Sequence, residues 1–155
     1  MRMLTALLSA SLVLGGSSGC ASRDRATENA LTRDEITAFM ESYERELVAH
    51  DREAIIARYD PEGVFILGDG TKEFWPGDSV GAFYRTAWTG PEFFEFLNLS
   101  FEPLGADAVL VAGQFRWKAV ASPDTALFSY TGLIRRTTMG LRIRLEDEST
   151  RERAP

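Results

Sequence analysis

The sequence contains few of the residues that form disulfides or bind metal ions. Its 155 residues include one cysteine, Cys20, and one histidine, His50. A single cysteine cannot form a disulfide within the chain, so we expect the fold to depend on its hydrophobic core. Zinc sites draw on several Cys or His ligands. We therefore expect no metal site and no cofactor.

The sequence also lacks an excess of basic residues. It has 17 Lys and Arg against 23 Asp and Glu, which gives a formal net charge of −6 at pH 7. No stripe of Lys and Arg interrupts this acidic balance. Proteins that bind nucleic acids usually present a basic surface, so we expect no nucleic-acid partner.

Residues 1–20 contain an apolar run that is too short to cross a bilayer comfortably. Arg2 supplies a positive charge, Leu4–Leu14 are mostly apolar, and Gly15–Gly19 are all small. This order is typical of a secretory signal peptide. A small-residue run that ends in Gly-Cys resembles the lipobox of bacterial lipoproteins, although a serine stands where leucine is commonest.

The lipobox resemblance implies that residues 1–19 are a lipoprotein signal peptide and that Cys20 then carries a lipid. Ala21 follows the cysteine, which in Gram-negative sorting resembles an outer-membrane address. We therefore expect a protein of the cell envelope, anchored to the outer membrane through the lipid on Cys20 and facing the periplasm. The alternative is an ordinary secretory signal with a chance cysteine.

The rest of the chain is predicted to form one domain flanked by polar segments. Residues 20–31 are polar and charged without an apolar period, and we expect a flexible tether there. Residues 32–148 have the length of a single domain with its own core. Residues 149–155 are predicted to be a charged tail.

Three helices are predicted early in this domain. Thr32 and Glu35 have the spacing of a capping box, Asp51 is a predicted cap for a short second helix, and Pro61 ends that helix. Asp78 is predicted to cap the third helix. Each helix has one apolar face. These faces are Ile36, Phe39, Met40, Tyr43 and Leu47; then Ile55, Ile56 and Tyr59; then Val80, Phe83, Tyr84, Ala87 and Trp88.

Runs of strand-forming residues separated by turns occupy the remainder. Gly63–Leu67 is continuously apolar, which suits a strand buried on both faces or one under a covering helix. Later strands joined by short turns indicate an antiparallel meander, and the whole order predicts an α+β fold. We expect the chain to fray after Leu145. The other predicted strands are Lys72–Trp75, Phe93–Phe101, Ala108–Val120, Leu127–Thr137 and Leu141–Leu145.

This order of elements resembles the NTF2-like superfamily, in particular its SnoaL-like and DUF4440-type domains. The resemblance covers residues 32–148 and implies a cone, in which three N-terminal helices pack on a strongly curved antiparallel sheet of four to six strands around a cavity. Its motifs are the face of the first helix, the AHDREAI turn, the YDPEGVFI run, the Trp75-Pro76-Gly77 turn before Phe83-Tyr84, and the late segments Leu133–Arg136 and Gly140–Ile143, with Leu141 where the family pattern has tryptophan.

The superfamily includes steroid isomerases, cyclases and dehydratases beside many proteins without known activity, so the fold does not decide the function. On the isomerase pattern, Tyr43 matches the oxyanion-stabilising tyrosine, whereas the position of the base falls on Leu67. Leucine cannot accept a proton, which argues against isomerase chemistry. We interpret Asp69 as a turn residue, Glu73 as a solvated edge residue and His50 as a polar residue at a helix end. No acidic pair is predicted to converge.

Aromatic residues give the stronger functional signal. Seven Tyr and Trp side chains are predicted to face inward or to lie at the cavity rim, where they either bind a small apolar ligand or fill the cone. Arg116 could bind a carboxylate, although a solvated or dimer-facing position is favoured. The seven candidates are Tyr43, Tyr59, Trp75, Tyr84, Trp88, Trp117 and Tyr130.

Three functions remain open from the sequence. The first is a lipid-anchored domain that binds a small apolar ligand, or an envelope accessory protein, without catalysis; the aromatic cavity and Leu67 favour it. The second is an isomerase, cyclase or dehydratase acting on a small carbonyl compound, which needs a carboxylate or a histidine inside the cavity. The third is a homodimeric interaction module of an envelope complex, because members of this superfamily often pair through the outer face of the sheet.

Overall fold

A computed structural model describes residues 30–68 and 71–150. Within these residues the fold is α+β, with three helices and one curved six-stranded sheet in the order β2-β1-β6-β5-β4-β3. The helices are α1 (Arg33–Ala49), α2 (Arg52–Ile56) and α3 (Gly77–Thr86). The strands are β1 (Val64–Gly68), β2 (Thr71–Trp75), β3 (Pro91–Pro103), β4 (Ala108–Ala119), β5 (Ala126–Thr137) and β6 (Gly140–Thr150).

Helix α1 begins at the predicted capping box. The Glu35 amide donates to Thr32 Oγ1 over 3.2 Å, and the Thr32 amide donates to Glu35 Oε2 over 2.9 Å. The predicted face of α1 is buried from Ile36 to Leu47. Asp51 caps α2 as predicted, since its Oδ1 accepts the Ala54 amide at 3.1 Å. None of the helices in the described residues is long and apolar enough to span a membrane.

Helix α3 starts differently from the prediction. Pro76 occupies the N-cap position and makes no side-chain capping bond, so the prediction that Asp78 is the cap is wrong. Proline has no side-chain oxygen that could accept an amide hydrogen, so this helix begins without a side-chain cap. Val80 and Tyr84 are buried on the predicted face, whereas Phe83 is 36% exposed at its edge.

The helices do not all lie on the sheet. α1 packs across β3, α3 borders β2, and the single-turn α2 packs against α1 and α3. The expectation that all three helices pack on one sheet face is therefore only partly met. The arrangement leaves an enclosed space between α1, α3 and the sheet.

The predicted meander from β3 to β6 is antiparallel throughout. β1 and β2 form a hairpin, but β1 pairs with β6 in parallel, with Ile66 opposite Glu146. The sheet is thus mixed, and the prediction of a purely antiparallel sheet is wrong. Phe65 is 43% exposed, so β1 is buried on one face only.

The last strand continues beyond the predicted end at Leu145. β6 runs to Thr150, so the expected fraying from position 146 is wrong for residues 146–150. Ile143 pairs with Ile134 and Leu145 with Leu133, which leaves Arg144 as an extra residue, a β-bulge. A bulge reverses the alternation of side chains beyond it. Ile143 and Glu146 are therefore both buried, at 0% and 3% exposed.

The segment before β1 is attached to the same part of β6. The Ile143 amide donates to the Arg58 carbonyl over 2.7 Å, and the Asp60 amide donates to the Ile143 carbonyl over 2.9 Å. These two bonds hold Tyr59 against β6. Asp60 is 1% exposed and forms an ion pair with Arg135 on β5. The same segment therefore contains a buried carboxylate whose charge is balanced by an arginine.

Candidate functional site

A cavity of about 480 Å³ lies between α1, α3 and the concave face of the sheet. Its walls are mostly apolar and aromatic, and its side-chain oxygens belong to three tyrosines and two glutamates. The lining residues are Tyr43, Leu47, Tyr59, Ile66, Leu67, Gly68, Trp75, Val80, Phe83, Tyr84, Trp88, Phe94, Trp117, Glu146 and Glu148.

Glu146 lies at the polar end of this cavity. The bulge at Arg144 turns it inward, and the parallel pairing of β6 with β1 places it beside Ile66. The carboxyl group that β1 lacks at Leu67 therefore comes from the neighbouring strand. The prediction that no acidic pair converges is wrong, because Glu146 and Glu148 of β6 both line the cavity.

Glu146 is held by four tyrosines, Tyr43, Tyr59, Tyr84 and Tyr130, which we call the tyrosine cluster. Tyr59 Oη donates to Glu146 Oε2 over 2.6 Å, and Tyr130 Oη donates to Glu146 Oε1 over 3.1 Å. The Tyr43 and Tyr84 hydroxyls lie 2.8 and 2.7 Å from the Tyr59 hydroxyl.

The hydrogen-bond directions in the tyrosine cluster follow from the single hydrogen that each phenol can donate. Tyr59 has one hydrogen to donate, and a carboxylate can only accept, so that hydrogen goes to Glu146. Tyr59 then accepts from both Tyr43 and Tyr84. The Tyr43 and Tyr84 oxygens keep acceptor capacity toward the cavity. The cluster is satisfied internally and can still bond a ligand.

Burial dominates the electrostatics of this end of the cavity. It raises the pKa of Glu146 to about 7, against the lowering effect of the hydrogen bonds from Tyr59, Tyr130 and Tyr43. Burial, followed by the nearby charge of Glu146, also raises the pKa of Tyr59 and Tyr130 well above the ordinary value. The phenols are therefore neutral near pH 7, while Glu146 exchanges its proton there.

Glu148 lies two residues further along the same face of β6. Surrounding protein, followed by the charges of Glu146 and Asp147, raises the pKa of its carboxyl group. Its side chain is nevertheless exposed to solvent in the cavity. Solvent screening weakens such effects, so the shift at Glu146, which is 3% exposed, is the more consequential of the two.

A continuous aromatic wall lines the same cavity. Trp75 contacts Phe83 with ring centroids 5.2 Å apart, Phe83 contacts Tyr84 at 5.4 Å, and Tyr84 contacts Trp88 at 5.2 Å. Trp117 completes the lining from β4. All three tryptophans of the protein therefore line this one cavity.

Six of the seven predicted aromatic candidates line the cavity: Tyr43, Tyr59, Trp75, Tyr84, Trp88 and Trp117. Tyr130 is 1% exposed and lies behind Glu146, where it orients the carboxylate without lining the cavity. That any of these residues binds a ligand stays a prediction.

The other candidate acids and bases lie elsewhere. His50 is exposed at the C-cap of α1, with Nε2 2.7 Å from the Pro91 carbonyl oxygen. Glu73 is exposed and accepts from Trp75 Nε1 over 2.9 Å. Arg116 donates to Glu95 over 3.2 Å on the sheet surface. Asp69 lies outside the described residues.

Cys20 also lies outside the described residues, as does the whole predicted signal peptide. Among the residues that are described, no group of three or more His, Cys, Asp and Glu side chains is placed to hold a metal ion.

Comparisons with known proteins identify the fold. An NTF2-like protein of unknown function from Shewanella oneidensis MR-1 superposes with a TM-score of 0.65 at 19% identity, over 75% of this chain and 97% of that one. This chain has the NTF2-like fold. A cystatin-like fold protein from Burkholderia xenovorans LB400 matches this NTF2-like domain with a TM-score of 0.61 at 21% identity, over 78% and 92% of the two chains.

A third solved structure carries a name that refers to an activity. It is a protein of the NTF2-like family from Streptomyces avermitilis, provisionally named a dehydratase, with a TM-score of 0.62 at 13% identity over 77% of this chain and 96% of that one. No protein-family model matches the present sequence, and no curated protein matches it significantly. At these identities the comparisons identify the fold alone.

Proposed function

We propose that this NTF2-like domain binds a small, mainly apolar molecule in the cavity between α1, α3 and the sheet. The observation that carries the proposal is the combination of about 480 Å³ of space, apolar walls and a polar group at one end. Small-molecule sites in proteins have this size and this composition, with a few convergent polar groups that orient the ligand.

The tyrosine cluster supports this proposal because it orients polar atoms before any ligand arrives. Tyr43 and Tyr59 are 3% and 5% exposed, and their hydroxyls are already bonded to each other and, through Tyr59, to Glu146. A site whose groups are already ordered loses less conformational entropy on binding.

Filling the cavity tests the proposal. Ile66 is half-buried, lines the cavity and lies opposite Glu146 in the sheet, so Ile66→Trp places an indole in the space for the ligand. Val120→Trp, at a position 60% exposed outside the cavity, is the matched control. Native mass spectrometry of protein purified from its own host is expected to show a bound small molecule on the wild type and on Val120→Trp, and none on Ile66→Trp. A wild type without bound mass, or an Ile66→Trp variant that retains it, would contradict the proposal.

A second candidate function is acid–base catalysis on a small carbonyl compound, with Glu146 as the base. It is favoured by one observation, a cavity carboxyl whose pKa is raised to about 7. A group with a pKa near the working pH is an effective general base. Glu146 would remove a proton from the carbon next to the carbonyl. The hydroxyl hydrogen of Tyr43 or Tyr84 would turn from Tyr59 to the carbonyl oxygen, where negative charge develops.

Proton exchange tests this second candidate without knowledge of the product. 4-Phenylbutan-2-one in D2O would exchange its α-hydrogens for deuterium faster with the wild type than with buffer alone. Glu146→Gln should lower this catalysed rate by about 100-fold or more, since general bases contribute factors of that size. NMR measures the exchange directly. Equal rates for the wild type and the variant would exclude Glu146 as the base.

We also propose that Cys20 carries a lipid that anchors the domain to the outer membrane on its periplasmic side. The positive charge of Arg2, the apolar run Leu4–Leu14 and the small residues Gly15–Gly19 before Cys20 support this. Replacing Cys20 with Ser should abolish metabolic labelling with palmitate and release the protein from the membrane fraction. Persistent labelling of the Cys20→Ser variant would refute the anchor.

A further inference from the structure

The charges at the cavity are all of one sign. In the described part of the chain its lining contains two carboxyls, Glu146 and Glu148, and no Lys, Arg or His. None of the described ion pairs involves either residue. The hydrogen-bond donors to Glu146 are phenols, which are neutral.

Two basic residues close in sequence to cavity residues are engaged elsewhere. Arg144, next to Glu146 in the bulge region, donates to the Gly63 carbonyl over 2.6 Å and lies over the Phe65 and Phe74 rings on the other side of the sheet. Arg58 pairs with Glu46. None of the described Lys, Arg and His side chains lines the cavity, so a bound cation would supply a counter-charge that the described lining does not.

The aromatic residues of the cavity suit a cation, as the two carboxyls do. The rings of Trp75, Phe83, Tyr84 and Trp88 line the same cavity as Glu146 and Glu148. Aromatic ring faces carry partial negative charge, and indole rings attract organic cations most strongly. An ammonium group with an apolar body would match both features, and its N–H groups could donate to a carboxylate in a charge-assisted bond.

We propose that the ligand of this cavity is an organic cation, an amine with an apolar body, in preference to a neutral or anionic molecule of the same shape. This inference rests on the proposed binding function and names the class of ligand. A neutral apolar ligand would remove water from Glu148 and give it no partner, whereas an amine replaces that water with a direct charge-assisted bond.

Three probes with one skeleton isolate the effect of charge. They are 4-phenylbutan-1-amine, 4-phenylbutan-1-ol and 4-phenylbutanoate, which are cationic, neutral and anionic at pH 8. The three tryptophans all line the cavity, so intrinsic fluorescence reports binding, and calorimetry gives the dissociation constants. The amine is expected to bind about 10-fold or more tightly than the alcohol, and the carboxylate more weakly than the alcohol.

The pH dependence of the amine affinity has a defined sign. The groups facing Glu146 are the phenols of Tyr43 on α1, Tyr59 before β1, Tyr84 on α3 and Tyr130 on β5, with Glu148 and Asp147 on β6 itself. The phenols stay neutral across the neutral range, so only carboxyls titrate. Protonation below about pH 7 removes negative charge, and the amine should bind progressively more weakly at pH 6 and pH 5.

Two variants test whether the carboxyls cause the preference. Glu148 is exposed, so Glu148→Gln is expected to fold normally and to reduce the ratio of amine affinity to alcohol affinity by about 10-fold. Glu146→Gln is the second variant and should act in the same direction. An amine that binds no more tightly than the alcohol, or an advantage that survives in both variants, overturns the inference but leaves the binding function intact. Failure of all three probes to bind overturns both.

Discussion

Tyr59 donates a hydrogen bond of 2.6 Å to Glu146 Oε2, although 87 positions separate the two residues in the chain. Tyr59 is placed by the backbone bonds of its neighbours to Ile143, and Glu146 is placed by the bulge that follows Ile143. One short part of β6 therefore fixes both partners. The bond joins the segment after the helices to the polar end of the cavity.

Removing the Tyr59 hydroxyl should destabilise the protein more than removing the Tyr130 hydroxyl. Tyr59→Phe removes three hydrogen bonds, those that Tyr59 makes with Tyr43, Tyr84 and Glu146 Oε2, whereas Tyr130→Phe removes one bond of 3.1 Å. A buried polar group left unpaired costs about 1 to 3 kcal/mol. We expect Tyr59→Phe to lower the free energy of unfolding by about 3 kcal/mol and Tyr130→Phe by about 1 kcal/mol, measured by urea denaturation at pH 7. A larger loss in Tyr130→Phe would contradict the assigned bond directions.

Glu146 should stabilise the folded protein more at low pH than at neutral pH. An ion-paired carboxyl has the opposite effect. Burial raises its pKa to about 7 in the folded protein, whereas an unfolded chain has a glutamate pKa of about 4.3. The folded state binds the proton more tightly. The stability contributed by the protonated group is complete below about pH 4.3 and is lost as the pH rises to about 7.

The difference between the wild type and Glu146→Gln isolates this contribution. We expect the free energy of unfolding of the wild type, minus that of the variant, to fall by about 3 kcal/mol between pH 4.5 and pH 7.5. Asp60 titrates in the opposite sense, because the hydrogen bond from Arg135 lowers its pKa despite the opposing effect of burial. It is present in both proteins and cancels. A difference that is flat or rises with pH would contradict the environment assigned to Glu146.

Two adjacent arginines on β5 should differ strongly in their importance for stability. Arg135 pairs with Asp60, which is 1% exposed, whereas Arg136 pairs with Glu35 at the surface. Arg135→Ala leaves a buried carboxylate without its counter-charge and should cost about 2 to 3 kcal/mol, less than a fully enclosed pair because Arg135 is 34% exposed. Arg136→Ala is the matched control and should cost far less. Thermal denaturation of both variants at pH 7 measures the difference, and similar losses would contradict the assignment.

Much of the fold could be predicted from local patterns. The capping box at Thr32, the Asp51 cap and the apolar faces of α1 and α3 depend on residues within a few positions of one another, and periodicity detects them. The meander from β3 to β6 follows from short turns between strands. The parallel pairing of β1 with β6 depends on residues about 80 positions apart and carries no local signal.

The candidate site was predicted only in its aromatic part, for a physical reason. In the sequence from Leu141 to Leu145 every second residue is apolar, which directs Leu145 inward and Glu146 outward if the alternation continues. The bulge at Arg144 reverses that alternation. Bulges are tertiary features that follow from pairing, and neither Arg144 nor its neighbours mark one in the sequence. The local pattern therefore predicts a solvated end of the chain at Glu146 and Glu148.

The most direct test of this account is an NMR titration of the Glu146 side-chain carboxyl carbon, assigned by its absence in Glu146→Gln. We expect the Glu146 carboxyl to have a protonation midpoint near pH 7, well above the ordinary glutamate value of about 4.3. We also expect 4-phenylbutan-1-amine to shift this midpoint to lower pH, because a bound cation favours the carboxylate. A midpoint at or below the ordinary value, or one that the amine leaves unchanged, would contradict the account.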